Sequence, residues 1–127
     1  MTRGRILIVE DEADLAWVEK FNLESEGYEV RVALEGGAAI EALESFRPHV
    51  MVLDLMLPHV NGWAVLDRVN ELPGGRRPLV IVVSAVAGAG DQVQVGAMGV
   101  GSFLPKPFDM DDLVRVVGET IASNGRA

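Results

Sequence analysis

Five short apolar runs, each followed by a segment with apolar residues at helical spacing, constrain this chain more than any other feature. The runs are Arg5 to Val9, Glu29 to Ala33, Val50 to Leu53, Leu79 to Val83 and Ser102 to Leu104. They are short and mostly rich in Val and Ile, as buried strands are. The intervening stretches read as helices: Asp11 or Glu12 to Gly27, Gly36 to Phe46, Gly62 to Leu72, Asp91 to Met98 and Asp109 to Ile121. Their expected inward stripes are Leu15, Val18 and Phe21, then Ile40, Leu43 and Phe46, then Leu66 and Val69, and finally Leu113, Val116 and Val117. Gly27 suits the position just past a helix end, and Pro48 and Pro73 prevent continuation. The Asp91-to-Met98 helix is weak, because glycines crowd it from both sides. Five strands alternating with helices predict an α/β domain with a five-stranded parallel sheet, doubly wound, with helices on both faces.

Length and charge narrow the rest. The 127 residues predict one domain with its core over about 4–122. The absence of cysteine removes disulfides and thiolate metal sites and suits a reducing compartment. A formal net charge of -8 argues against nucleic-acid binding and fits a hard cation or a basic partner better. The start of the chain has too short an apolar core for a signal peptide, and the uncharged stretch from Pro78 to Gly90 is too short for a membrane span. The expectation is a cytoplasmic domain without membrane contact.

Asp54 is the anomaly in this pattern. It ends the Val50-to-Leu53 strand between apolar neighbours, where an ionised carboxylate is expensive to desolvate unless paired, metal-bound or chemically used. A turn-initiating or capping role is the bland alternative. Folds of this class place their ligand site beyond the carboxyl ends of the strands, at the point where strand order reverses. Glu10 and Asp11 end the first strand, Asp54 the third and Ser84 the fourth, while Lys106 follows the fifth. All five fall at one edge of the sheet.

Val9-Glu10-Asp11-Glu12, Asp54 with Pro58 and Gly62, Ser84-Ala85, and Phe103-Leu104-Pro105-Lys106-Pro107-Phe108 resemble, in order, the motifs of two-component response-regulator receiver domains, chemotaxis regulators included. The resemblance implies the flavodoxin-like strand order 2-1-3-4-5 and a phosphorylation-dependent switch. It makes Asp54 the nucleophile that accepts a phosphoryl group from a sensor histidine kinase or phosphotransfer protein. It also implies a Mg²⁺ ion held by Asp11, Asp54, the Met56 carbonyl and, through water, Glu10. Oxygen-only ligands suit that ion, and three carboxylates within about 5 Å repel by about 3 kcal/mol per pair until a cation relieves them. Lys106 neutralises the transferred charge, Ser84 binds a phosphoryl oxygen, and Phe103 moves with it. The resemblance further implies a cis Lys106-Pro107 peptide. The switching face is then formed by the Asp91-to-Met98 helix, the fifth strand and the last helix. Such a domain is a phosphoacceptor and no turnover enzyme, signalling to a downstream effector as a monomer or weak phosphorylation-dependent dimer.

Other residues take ordinary roles. Glu12 is a solvated acid at a helix start, His49 and His59 are structural or solvated, and Trp17 and Trp63 are partly buried packing residues. Glu10 stands where many receivers carry Asp. Met56 and Val86, two residues past Asp54 and Ser84, are apolar, which predicts slow loss of phosphate. Gly101-Ser102 replace the acidic pair of the winged-helix branch, and the helix before them has no Lys or Arg. Both features favour a stand-alone receiver or one cut from a hybrid protein. The glycines from Ala87 to Gly101 predict mobility on the switching face.

Three rivals are weaker. The Gly88-to-Val93 stretch does not open on the first strand and lacks the third glycine of a dinucleotide fingerprint. A haloacid-dehalogenase-type phosphatase needs an acid where Met56 stands. A phosphorylation-independent receiver-like interaction module remains the alternative, although it would lack Asp54 or Lys106.

Overall fold

A computed structural model describes residues 3–57, 61–85, 96 and 100–124. Its elements in order are β1 (Arg5–Val9), α1 (Ala13–Ser25), β2 (Glu29–Ala33), α2 (Gly36–Ser45), β3 (Val50–Asp54), α3 (Gly62–Glu71), a 3-10 turn (Gly74–Arg76), β4 (Leu79–Ser84), β5 (Ser102–Pro105) and α4 (Met110–Asn124). The expected Asp91-to-Met98 helix, the mobility argument built on it, Val86, Pro58 and His59 lie outside the described residues.

The strands form one sheet in the order β2-β1-β3-β4-β5, and every pairing is parallel. Alternation along each strand divides the interior into two cores. Ile6, Ile8, Val50, Val52, Ile81 and Val83 face α1 and α4, where Ala16, Leu23, Leu113 and Val117 meet them. Leu7, Val9, Met51, Leu53, Val80 and Val82 face α2 and α3, against Leu43, Leu66 and Val69. A sheet covered on both faces needs apolar residues at odd and even positions alike, which explains the unbroken runs.

Local signals behave as their chemistry requires. Gly27 adopts φ 98° after α1, a left-handed conformation that glycine takes without steric cost. Asn61 caps α3, its side-chain oxygen accepting from the Ala64 N–H at 3.0 Å. The Lys106-Pro107 peptide is cis.

The first helix corrects the expected packing. Its buried positions are Ala16, Glu19 and Leu23. Leu15 is half-buried, whereas Val18 and Phe21 are 47% and 61% exposed. Trp17, expected to be partly buried, is 54% exposed and lies near Lys20, whose Nζ is 5.4 Å from its ring centroid. The helix carries apolar residues on two faces, so periodicity alone does not fix its phase. Ala16 and Leu23 join the apolar cluster that α1 and α4 share against the sheet, and that packing carries Glu19 inward with them.

Candidate functional site

Strand order reverses between β1 and β3, so their carboxyl ends flank the crevice where this architecture holds ligands. Glu10 directly follows β1, its N–H donating to the Ala33 carbonyl at 3.1 Å. Asp54 is the last residue of β3. Glu10 and Asp54 are 1% and 4% exposed, while the adjacent Asp11 is open to solvent. Carboxylate oxygens from the three lie within 4.8 Å of one another.

Lys106 enters from the opposite side. Its N–H donates to the Ser84 carbonyl at 3.0 Å, fixing the loop after β5 to the end of β4. Its Nζ donates to Glu10 Oε1 at 2.7 Å and to Asp54 Oδ2 at 2.8 Å. The other Asp54 oxygen, Oδ1, accepts the Met56 N–H at 2.8 Å, and Glu10 Oε2 accepts the Glu12 N–H at 3.2 Å. Burial raises the Glu10 pKa above the usual carboxylate range, although Lys106 opposes the rise. Burial by itself would lower the Lys106 pKa; its hydrogen bonds to Asp54 and Glu10 outweigh that and raise it. The ammonium therefore stays charged.

With all three acids ionised, the site carries three negative charges against one ammonium. At an effective dielectric of 20, each pair of carboxylates less than 5 Å apart repels by about 3 kcal/mol. A divalent cation would cancel the remaining two charges, and an all-oxygen donor set suits a hard ion such as Mg²⁺.

The loop after Asp54 is held close by Gly62. The Gly62 N–H donates to the Leu55 carbonyl at 3.1 Å. A Cβ on Gly62 would lie 2.6 Å from the Asp54 carbonyl oxygen and would also strike the Leu55 Cα. No real side chain fits there, so this glycine allows α3 to start directly against the strand end.

The structure thus brings together Glu10, Asp11, Asp54 and Lys106, with Ser84 joined through its backbone. Ser84 is fully buried at the end of β4, next to Pro105 in register. Met56 is 60% exposed and contacts Asp54 by its amide. Phe103 sits earlier on β5, opposite Val82, and packs half-buried against the α2–α3 core. His49 is structural, as expected: its Nδ1 accepts the Arg5 N–H at 2.9 Å.

Glu19 is the residue that sequence reasoning missed. It is fully buried, and neither carboxyl oxygen has a hydrogen-bond partner among the described residues. Burial, reinforced by the charge of Glu10, pushes its pKa from 4.5 up to about 8. The available signal was its place between Ala16 and Leu23 on one stripe, with Trp17 and Phe21 off that stripe.

Comparison with known proteins agrees with this geometry. The family described as response regulator receiver domain matches residues 6–118. The chain is 35% identical over 112 residues to an uncharacterized 14.6 kDa protein of Leptolyngbya boryana, covering 88% of this chain and 86% of that protein. It is 34% identical to the phosphate regulon transcriptional regulatory protein PhoB of Rhizobium meliloti, covering 87% of this chain but 48% of PhoB. The chain therefore spans about half the length of that regulator. Among solved structures, the signal receiver domain of a LuxO repressor protein from Vibrio parahaemolyticus superposes with a TM-score of 0.88 at 31% identity, covering 95% of this chain and 92% of that one. The receiver domain of sensor histidine kinase PA1611 from Pseudomonas aeruginosa, with magnesium in its active-site cleft, gives 0.82 at 29%, covering 94% and 98%. No helix among the described residues is long and apolar enough to cross a membrane. With a family match across most of its length, a parallel sheet in the order 2-1-3-4-5 and an acid–lysine cluster at the strand reversal, the chain belongs to the response-regulator receiver domains of two-component systems.

Proposed function

We propose that the chain is a phosphorylation-dependent signalling switch whose phosphoacceptor is Asp54. The observation that supports this best is the sharing of the Lys106 ammonium between Asp54 Oδ2 and Glu10 Oε1, at 2.8 and 2.7 Å. An Asp54 oxygen attacks the phosphorus of a phosphohistidine on a sensor kinase or phosphotransfer protein. The new O–P bond forms as the P–N bond breaks, and the imidazole nitrogen departs with the electron pair. The products are an aspartyl phosphate and free histidine. Lys106 moves its charge from the carboxylate to the incoming phosphoryl oxygens, while the Met56 N–H holds Asp54 in place through Oδ1. Asp11 and Asp54, with the Met56 carbonyl and Glu10 through water, would hold a Mg²⁺ ion. That ion supplies neutralisation of the acid cluster and of the phosphoryl group.

Ser84 lies at the end of the neighbouring strand, where its hydroxyl would bind a phosphoryl oxygen and shift Phe103 along the switching face. Phosphate then changes the population of two backbone arrangements; moving from 1:99 to 99:1 takes about 5.5 kcal/mol of differential binding. The readout is a downstream effector protein or domain in the cytoplasm. The domain acts as a monomer or a weak phosphorylation-dependent dimer, without nucleic-acid contact and without an external substrate.

The test is incubation with Mg²⁺ and a small phosphodonor, followed by intact mass of wild type and Asp54→Ala. One phosphoryl group on the wild type and none on the variant supports the reading. Adducts on both proteins reject Asp54, and an adduct on neither favours a phosphorylation-independent interaction module.

A further inference from the structure

The opposite edge of the sheet carries a second feature, unrelated to the acid cluster. A half-open basin of about 1040 Å³ is lined there by Arg3, Arg5, Arg47, Arg76, Arg77 and His49, with no acidic residue among the described lining, although Glu26 and Glu44 pair with Arg3 and Arg76 from outside it. Five of the chain's eleven lysines and arginines thus line one cavity of a molecule whose net charge is -8. Part of this concentration is structural. Helices of a parallel α/β fold end at the amino edge of the sheet, where their carbonyls present the negative end of the dipole. Arg5 answers that at α2, its Nε donating to the Phe46 carbonyl and its Nη2 to the Arg47 carbonyl, at 2.9 and 2.7 Å. Arg77 does the same at α3, donating to the Leu72 and Asn70 carbonyls, each at 2.7 Å.

Capping does not use up the donors, and it makes those that remain rigid. Arg5 and Arg77 each keep Nη1 outside these bonds, on a guanidinium plane locked by backbone. His49 accepts the Arg5 N–H at Nδ1, which leaves Nε2 to carry the ring proton. The Arg47 side chain has no partner among the described residues, and capping does not explain it. Its backbone, at φ 51°, makes the left-handed turn that closes α2, the Arg47 N–H donating to the Ala42 carbonyl at 3.3 Å, and this leaves the side chain at the mouth of the basin.

We propose that this basin binds a compact oligophosphate, free or as the tail of a nucleotide. The Nη1 groups of two fixed guanidiniums and the Arg47 side chain offer charged donors to phosphate oxygens, and the volume suits a nucleotide-sized ligand. The site stands on the far edge from Asp54 and does not depend on phosphorylation.

The test is calorimetric titration of the whole chain with inorganic triphosphate and, separately, with ATP, at low salt and with chelator to exclude divalent ions. Wild type is compared with Arg47→Gln/Arg76→Gln and with Arg68→Gln/Arg115→Gln. Among the described residues the Arg76 side chain forms only a surface pair with Glu44 and the Arg47 side chain none, so the first variant keeps its fold. The second removes the same charge from arginines whose ion pairs lie on the surfaces of α3 and α4. The proposal expects one saturable site, weakened at least tenfold in the basin variant and unchanged in the other. Equal affinity for the two probes identifies the oligophosphate itself as the ligand, and tighter ATP identifies a nucleotide. No saturation at millimolar probe, or equal weakening in both variants, overturns it.

Discussion

Glu19 gives the account its most quantitative consequence. Burial, with the charge of Glu10 beside it, pushes this carboxyl from 4.5 up to about 8 in the folded protein, and no donor among the described residues meets its oxygens. Folded protein therefore holds this proton more tightly than unfolded chain. Stability from this group is full below pH 4.5, falls as pH rises towards 8, and is level above it. At about 1.4 kcal/mol per pH unit, the whole difference approaches about 5 kcal/mol, and about 3 kcal/mol of it is already lost at pH 7. That is a large share of the 5–15 kcal/mol that holds a typical domain together. Glu19→Leu removes both the titration and the orphaned oxygens, and Glu19→Gln removes only the titration. Urea unfolding from pH 5 to pH 9, followed by circular dichroism, measures the difference. Glu19→Leu should gain on the wild type steadily between pH 5 and pH 8, by about 3 kcal/mol in total, and Glu19→Gln should share that flattened pH dependence. Parallel curves for wild type and both variants would refute the assignment of a buried, raised carboxyl.

Other sites give sharper local outcomes. Gly62→Ala should destabilise by about 2 kcal/mol or more, since a Cβ there meets the Asp54 carbonyl, and chemical denaturation reads it directly. Arg77→Ala should cost about 1–3 kcal/mol, by leaving the Asn70 and Leu72 carbonyls without their donor, and amide exchange should show the end of α3 fraying first. Lys106→Ala should slow phosphorylation by a small-molecule donor about a hundredfold or more, measured as the rate of adduct formation. Polar substitution at Met56 and Val86 should shorten the phosphoryl lifetime; an unchanged half-life would remove these residues from control of hydrolysis.

The fold was legible because its main signals are redundant. Apolar runs at both odd and even positions in β1, β3 and β4 require cover on two faces, and Gly27, Pro48, Asn61 and Pro73 mark the turns between elements. The acid cluster was legible for a related reason: topology sends the ends of β1, β3, β4 and β5 to one edge, so residues far apart in sequence had to meet there. The phase of α1 was not legible. Val18 and Phe21 are larger and more apolar than Ala16, yet Ala16 and Leu23 are the residues packed between the sheet and α4. Glu19 was hidden by the same competition, because a glutamate on a helix is usually solvated. The basic basin escaped notice because its arginines are scattered from Arg3 to Arg77, and helix ends gather them only in three dimensions.

The central claim is that carboxylates from two strand ends and the Lys106 ammonium surround one phosphoryl position. A crystal structure grown with Mg²⁺ and beryllofluoride, a stable phosphoryl mimic, tests it most directly. The account predicts the mimic bonded to Asp54, with Lys106 Nζ on a fluorine and the metal ligated by Asp11. A mimic on any other side chain, or one on Asp54 that Lys106 and Asp11 do not reach, would contradict it.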